Sequence, residues 1–228
     1  MAVNLRSQGT ATPAALHSPE HILSLDAGEA HRLFNDGKLT ISGLLSRILT
    51  QIKDTNTNGP KLGAIVFLAS EPQLMARAGD LQQELESGHS RGPLHGIPVV
   101  LKDCIATSPL LGMPTSAGSY ALLNTTKVTR NAPIVERLLD AGAIIVGKSN
   151  LSEFCAFKGD GLIDGFSPVG GQTKSPYVYG EIVLDEGDLS PSSPGGSSTG
   201  SAVSVSAGFA LIGIGTENDG SIVQPASR

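Results

Sequence analysis

The sequence predicts an α/β fold, and three observations predict it. Segments with apolar residues at helical spacing alternate with short apolar runs of strand length, which is the pattern of helices laid on a sheet. The chain has 228 residues, enough for one sizeable domain. Hydrophobic residues make up 39% and charged residues 16%, so a buried core is within reach and disorder is not the default.

The elements follow in order. Residues 1–21 read as a flexible tail ahead of a domain spanning 22–228. Ser24 is placed to cap a helix running to Asn35, with Ala30, Leu33 and Phe34 on one face and Gly37 as its stop. Thr40 opens a stronger helix, since Ile41, Leu44, Leu45, Ile48, Leu49 and Ile52 recur at its period. Asn56–Pro60 reads as a loop and Leu62–Leu68 as a strand. Ser70 and Gln73 form a capping-box pattern for a helix that ends near Gly88. Ile97–Leu101 is a buried-strand pattern, and Pro98 places it at a sheet edge or at a strand start. Residues 103–130 are irregular. Asn131 and Pro133 start a helix with Ile134, Val135, Leu138 and Leu139 inward, Gly142 stops it, and Ala143–Val146 reads as a buried strand. Asn150 and Glu153 begin a short helix. A long loop from Asp160 to Gly196 carries an acidic bulge at Glu181, Asp185, Glu186 and Asp188. Ser198–Ala207 is a small-residue helix, Phe209–Ile214 a strand, and Gly215–Gly220 a polar turn.

Composition narrows the function. The net charge of −5 comes with no basic patch, which argues against nucleic acid as a partner. No apolar run is long enough to cross a bilayer, and Met1–Ser24 lacks the apolar stretch of a signal peptide. Cys104 and Cys155 make no disulfide framework. A cytoplasmic location is expected. On that reading the sequons at Asn124 and Asn150 are chance matches.

Chemistry concentrates in two runs. Pro194-Gly195-Gly196-Ser197-Ser198-Thr199-Gly200-Ser201 is a Gly/Ser run entering a helix, where free backbone N–H groups favour an anion or an oxyanion. A flexible linker fits poorly, because an ordered helix and strand follow at once. A phosphate loop fits poorly, because no Lys follows the last Gly in the required position. Gly215-Thr216-Glu217-Asn218-Asp219-Gly220-Ser221 follows a strand, where α/β proteins place active loops. Ser221 beside Gly220 suits a nucleophile, and a nucleophilic serine needs a base. His17, His21, His31, His89 and His95 all lie far from both runs in sequence. Lysine is the other candidate base, provided that desolvation lowers its pKa from about 10.4. Lys102 closes the apolar run Ile97–Leu101 and meets that need; a strand-end lysine reaching solvent is the alternative.

Read together, Gly96-Ile97-Pro98-Val99-Val100-Leu101-Lys102-Asp103, Gly195–Ser201 and Gly215–Ile222 resemble the amidase-signature family, in the family's order and with its spacing between Ser197 and Ser221. Leu111–Ser119 and Ala141–Phe154 are similar to further family segments. The resemblance implies a mixed central β-sheet flanked by helices. It implies Lys102 as base, Ser197 as a bridging serine on a cis peptide, and Ser221 as the nucleophile that forms an acyl-enzyme. Backbone N–H groups of Asn218, Asp219, Gly220 and Ser221 would form the oxyanion hole, and Ser198 would support the serine network. No metal and no organic cofactor is implied, and the partner is a small-molecule amide substrate rather than nucleic acid or membrane.

Glu217, Asp219 and Val223 depart from the commoner family form and are similar to the peptide-amidase-like branch, as is Gly170–Tyr177. This favours an amide on a peptide-like or other small acyl group over the tRNA-linked amidotransferase subunit. The stretch Tyr179–Ser193 reads as an insertion, a surface loop in preference to a lid. Family members continue well past the nucleophile, whereas only Ile222–Arg228 follow Ser221 here. An incomplete core, an open sheet edge and exposed apolar surface are therefore expected. The competing readings are a truncated, catalytically inactive protein and an amidotransferase-type subunit.

Overall fold

A computed structural model of the chain describes residues 19–125, 127–159, 161–178 and 192–228. Two short helices, α1 (Pro19–Ser24) and α2 (Ala27–Asn35), lead into α3 (Ile41–Gln51), which continues as a π-helical segment over Ile52–Thr57. Next come β1 (Ile65–Leu68), α4 (Glu71–Glu86) and β2 (Pro98–Lys102). After them come α5 (Tyr120–Thr125), α6 (Pro133–Asp140) and β3 (Ile144–Ser149). A small hairpin of β4 (Phe166–Ser167) and β5 (Gly171–Gln172) precedes α7 (Thr199–Ser206), β6 (Ile212–Ile214) and α8 (Val223–Ala226).

The central sheet has the order β1-β3-β2-β6. β2 runs parallel to β3 and to β6, while β1 is antiparallel to β3, so the sheet is mixed as expected. α7 packs on β2, β3 and β6; α4 packs on β3 and against α3. Ile41, Leu44, Leu45 and Ile48 of α3, Leu81 of α4 and Val99–Leu101 of β2 anchor the core. Every residue of β2 is buried, which fits a parallel strand flanked on both edges. Pro98 therefore sits at a strand start and not at an edge. Its missing N–H falls where the ladder begins, and its carbonyl accepts the Leu211 N–H at 3.1 Å.

Several local expectations are corrected. Asp26, not Ser24, caps α2, its carboxylate accepting the Glu29 N–H at 2.7 Å; a carboxylate is the better acceptor, and Ser24 instead ends α1. Ser70 opens α4 without a capping box, because its hydroxyl donates to the Gln73 side chain at 2.9 Å and makes no backbone cap bond. Ile134 is 42% exposed, whereas Val135 and Leu138 of the short α6 are buried in the core and Leu139 packs half-buried against it. Glu153–Ala156 is a turn and not a right-handed helix: Phe154, Cys155 and Ala156 have φ of 51°, 58° and 67°. β1, β3 and β6 differ by a few residues from their expected ends, α5 forms inside the segment 103–130 that reads as irregular, and α8 follows the polar turn. The expected acidic bulge at 181–188 lies outside the described residues, as does the tail up to residue 18. Among the described residues no helix is long and apolar enough to cross a membrane.

Candidate active site

Lys102 closes β2 at the C-terminal end of an interior strand, where it pairs with Ser149 of β3, so its aliphatic stem is walled by neighbouring strands. The residue has no solvent exposure. Its Nζ donates to Ser197 Oγ at 2.7 Å and to the Thr216 carbonyl at 3.2 Å. Burial pushes its pKa below the ordinary lysine value, against the opposing pull of the Cys155 and Cys104 thiols. The solvent-reaching alternative for this lysine is thereby discarded.

Ser197 enters on the loop before α7, and the Gly196–Ser197 peptide is cis, as expected from the resemblance. Only glycine fits at 196: a Cβ there would meet the Asp164 carboxylate and come within 2.6 Å of the Ser152 hydroxyl. The Ser197 Oγ lies 2.9 Å from the Ser221 Oγ, completing a chain of hydrogen bonds from lysine to the outer serine. Ser198 is the N-cap residue of α7. Its N–H donates to the Ser221 carbonyl at 3.0 Å. Its hydroxyl donates to the Thr216 carbonyl at 3.2 Å and accepts the Thr216 N–H at 3.3 Å. Thus Ser198 ties the two glycine-rich turns together.

The turn that carries Ser221 is organised by Glu217. Its carboxylate accepts the N–H groups of Ile222 at 2.6 Å and Val223 at 2.8 Å and interacts with that of Gly220. Those bonds hold the carboxyl below its ordinary pKa. Asn218 and Asp219 are exposed, and their N–H groups meet no acceptor among the described residues. The Gly220 N–H, in contrast, already has the Glu217 carboxylate as a partner. Lys102, Ser197, Ser198 and Ser221 therefore form one connected cluster, with Asn218 and Asp219 on its solvent side.

Asp103 and Lys148 were not singled out as site residues. Both are fully buried, 3.5 Å apart, and they fold the irregular 103–119 segment around the end of β2. Asp103 accepts bonds from the Ser116 hydroxyl and from the N–H groups of Ser116 and Gly118. Lys148 donates to the Ile105 carbonyl at 2.7 Å and to Thr115 Oγ1 at 2.9 Å. Burial lowers the Lys148 pKa to about 8 and raises that of Asp103, in each case against the attraction of the other. A lysine inside an apolar strand pattern was the available signal.

A lysine and two serines joined by hydrogen bonds at the end of a mixed sheet define a lysine–serine class of α/β site. The chain belongs to the amidase family, whose model matches residues 45–228. A relative from Arabidopsis thaliana, named as a probable amidase, is 37% identical over 98% of this chain. The crystal structure of the peptide amidase of Stenotrophomonas maltophilia superposes on 88% of the chain with a TM-score of 0.77 and 42% identity. A glutamyl-tRNA(Gln) amidotransferase subunit from Symbiobacterium thermophilum is 35% identical over 89% of it. The chain spans 40%, 38% and 37% of the lengths of these three proteins.

Proposed function

We propose that this chain carries the catalytic elements of an amidase that hydrolyses the C–N bond of a small or peptide-like carboxamide. The carrying observation is the chain Lys102 Nζ–Ser197 Oγ–Ser221 Oγ, with steps of 2.7 and 2.9 Å, together with the lowered lysine pKa. A neutral Lys102 accepts the Ser197 proton while Ser197 accepts that of Ser221. The Ser221 oxygen then attacks the amide carbon. Negative charge builds on the carbonyl oxygen, and those N–H groups of the 218–221 turn that Glu217 leaves free receive it; one such donor is worth about 2.7–4 kcal/mol. Collapse breaks the C–N bond, the relay returns its proton to the leaving amine, and water hydrolyses the acyl-enzyme by the same relay.

The peptide-like substrate class draws its support from the peptide amidase likeness and from the Glu217 and Gly170–Tyr177 stretches. A second reading, a glutamine-dependent amidotransferase subunit, is favoured by the likeness to tRNA-linked amidotransferase subunits such as that of Symbiobacterium thermophilum. The deciding experiment is labelling with a fluorophosphonate serine probe, followed by mass mapping. Modification confined to Ser221, absent in Ser221→Ala and lost in Lys102→Ala, is the expected result. An unlabelled sample that circular dichroism shows to be folded would sink the reading and leave an inactive amidase-fold chain. Release of ammonia from glutamine only in the presence of a partner protein would favour the second reading.

A further inference from the structure

The two cysteines stand beside the lysine, and the proposed hydrolysis makes no use of them. Cys104 lies in the turn that follows Lys102, and Cys155 lies in the turn Glu153–Ala156. Both are free and half-buried, so a small oxidant can reach them. They converge on one hydroxyl: Thr216 Oγ1 is 3.5 Å from Cys104 Sγ and 4.0 Å from Cys155 Sγ. The two thiols and the Lys102 amine stand close enough to shift one another's protonation. Backbone strain accompanies this convergence. Three successive non-glycine residues, Phe154, Cys155 and Ala156, are left-handed, a conformation that L side chains rarely adopt. Strain of this kind collects at sites where geometry matters.

The surroundings divide the labour between the sulfurs. The Cys104 hydrogen bond, with help from the Lys102 charge, holds the Cys155 thiol below its ordinary pKa, although burial opposes this. The Cys155 hydrogen bond and burial hold Cys104 above its ordinary value. One sulfur is thus the ready thiolate and its neighbour a retained thiol, the pairing that a resolving cysteine requires.

We propose that Cys104 and Cys155 form a dithiol modification site against the Lys102 amine, which a hydroperoxide converts to an intramolecular disulfide. The Cys155 sulfur attacks the peroxide O–O bond; an S–O bond forms, the O–O bond breaks and hydroxide leaves. The Cys104 sulfur then attacks the Cys155 sulfur; an S–S bond forms and the S–O bond breaks. The departing oxygen takes the Cys104 proton and leaves as water. Two thiols lose two electrons and two protons, and hydrogen peroxide is reduced to two waters. The bond takes the Cys155 contact away from Lys102 and ties the end of β2 to the 153–156 turn.

The test exposes the full chain to hydrogen peroxide, blocks remaining thiols with iodoacetamide and measures the unreduced mass. The expected product has lost two hydrogens, carries no alkyl group on either cysteine, yields one peptide linking Cys104 to Cys155, and reverts with dithiothreitol. Alkylation of both cysteines after peroxide, oxygen addition without a crosslink, or a crosslink only between molecules would overturn the proposal. In Cys104→Ser, dimedone should trap sulfenic acid on Cys155; in Cys155→Ser, Cys104 should stay unreacted at the same exposure. Trapping at Cys104 instead would reverse the assigned roles. These masses do not depend on amide hydrolysis. A separate readout does rest on that reading: the disulfide removes the Cys155 pull that raises the Lys102 pKa, so the rise of Ser221 labelling with pH should move to lower pH in the oxidised protein and return on reduction, and an unmoved profile would break the link to Lys102.

Discussion

Lys102 can accept a proton only as the neutral amine, and its burial supplies that form at lower pH than an exposed lysine would. The rate of Ser221 acylation should therefore rise with pH and level off above a pKa that lies below 10.5. In Lys102→Met the rate should fall by about 10²–10⁴-fold and lose this rise, measured as probe-labelling rates across pH. The neighbouring pair Asp103–Lys148 acts on the fold. Removing one partner of a buried ion pair leaves a charge without compensation, so Lys148→Met should cost about 3–5 kcal/mol in urea unfolding. Adding Asp103→Asn should recover part of that loss, and simple additivity would contradict the pairing. The pH dependence has a definite sign. Between about 8 and 10.5 the unfolded chain keeps a proton that folded Lys148 has released, so stability rises with pH across that window. Below about 8 both states are protonated and the burial cost of the charge stands in full. The lowered Lys102 pKa works in the same direction, and the Lys148→Met variant should show a shallower rise.

At the scale of elements, α7 carries the serines into place by lying close on the sheet. The Gly200 N–H donates to the Asn150 carbonyl at 2.9 Å. A Cβ at this position would stand 2.5 Å from the Ala64 carbonyl oxygen and 2.6 Å from that of Asn150. Those atoms belong to backbone and cannot swing aside. Gly200→Ala should therefore push α7 off the sheet, cost about 1–3 kcal/mol and reduce Ser221 labelling. Thr40→Ala is the contrasting change. It removes only the cap that accepts the Gly43 N–H at 3.0 Å, so it should cost about 1 kcal/mol in thermal unfolding and leave labelling intact.

At the scale of the molecule, the sheet ends at β1 on one side and at β6 on the other. Among the described residues β6 pairs with β2 alone, and Val205 and Ile222 remain exposed beside it. An open strand with apolar neighbours is a template for association. Light scattering should show the purified chain associating as its concentration rises, and Val205→Lys should weaken that association. A sample that stays monomeric across the range would mean that this edge is covered in solution.

Much of this protein was legible in its sequence because the decisive signals are local. The apolar period of α3, the run Val99–Leu101 ending in Lys102, and the two Gly/Ser turns are each set by neighbours within a few residues, where hydrophobic spacing and backbone freedom act directly. Other features rested on which of several possible partners the folded chain selects. Whether Ser24 or Asp26 caps α2 is a competition between acceptors that spacing does not rank. The left-handed 153–156 turn, the Glu217 grip on the Ser221 turn and the burial of Asp103 with Lys148 all come from groups brought together by folding. The sequence by itself determined the α/β class, the three candidate catalytic side chains and their order. Only the tertiary structure decided that Lys102 loses its water, that Ser197 and the Thr216 carbonyl complete its hydrogen bonds, and that Cys104 and Cys155 converge on Thr216, because desolvation and distance arise only when the strands and turns pack.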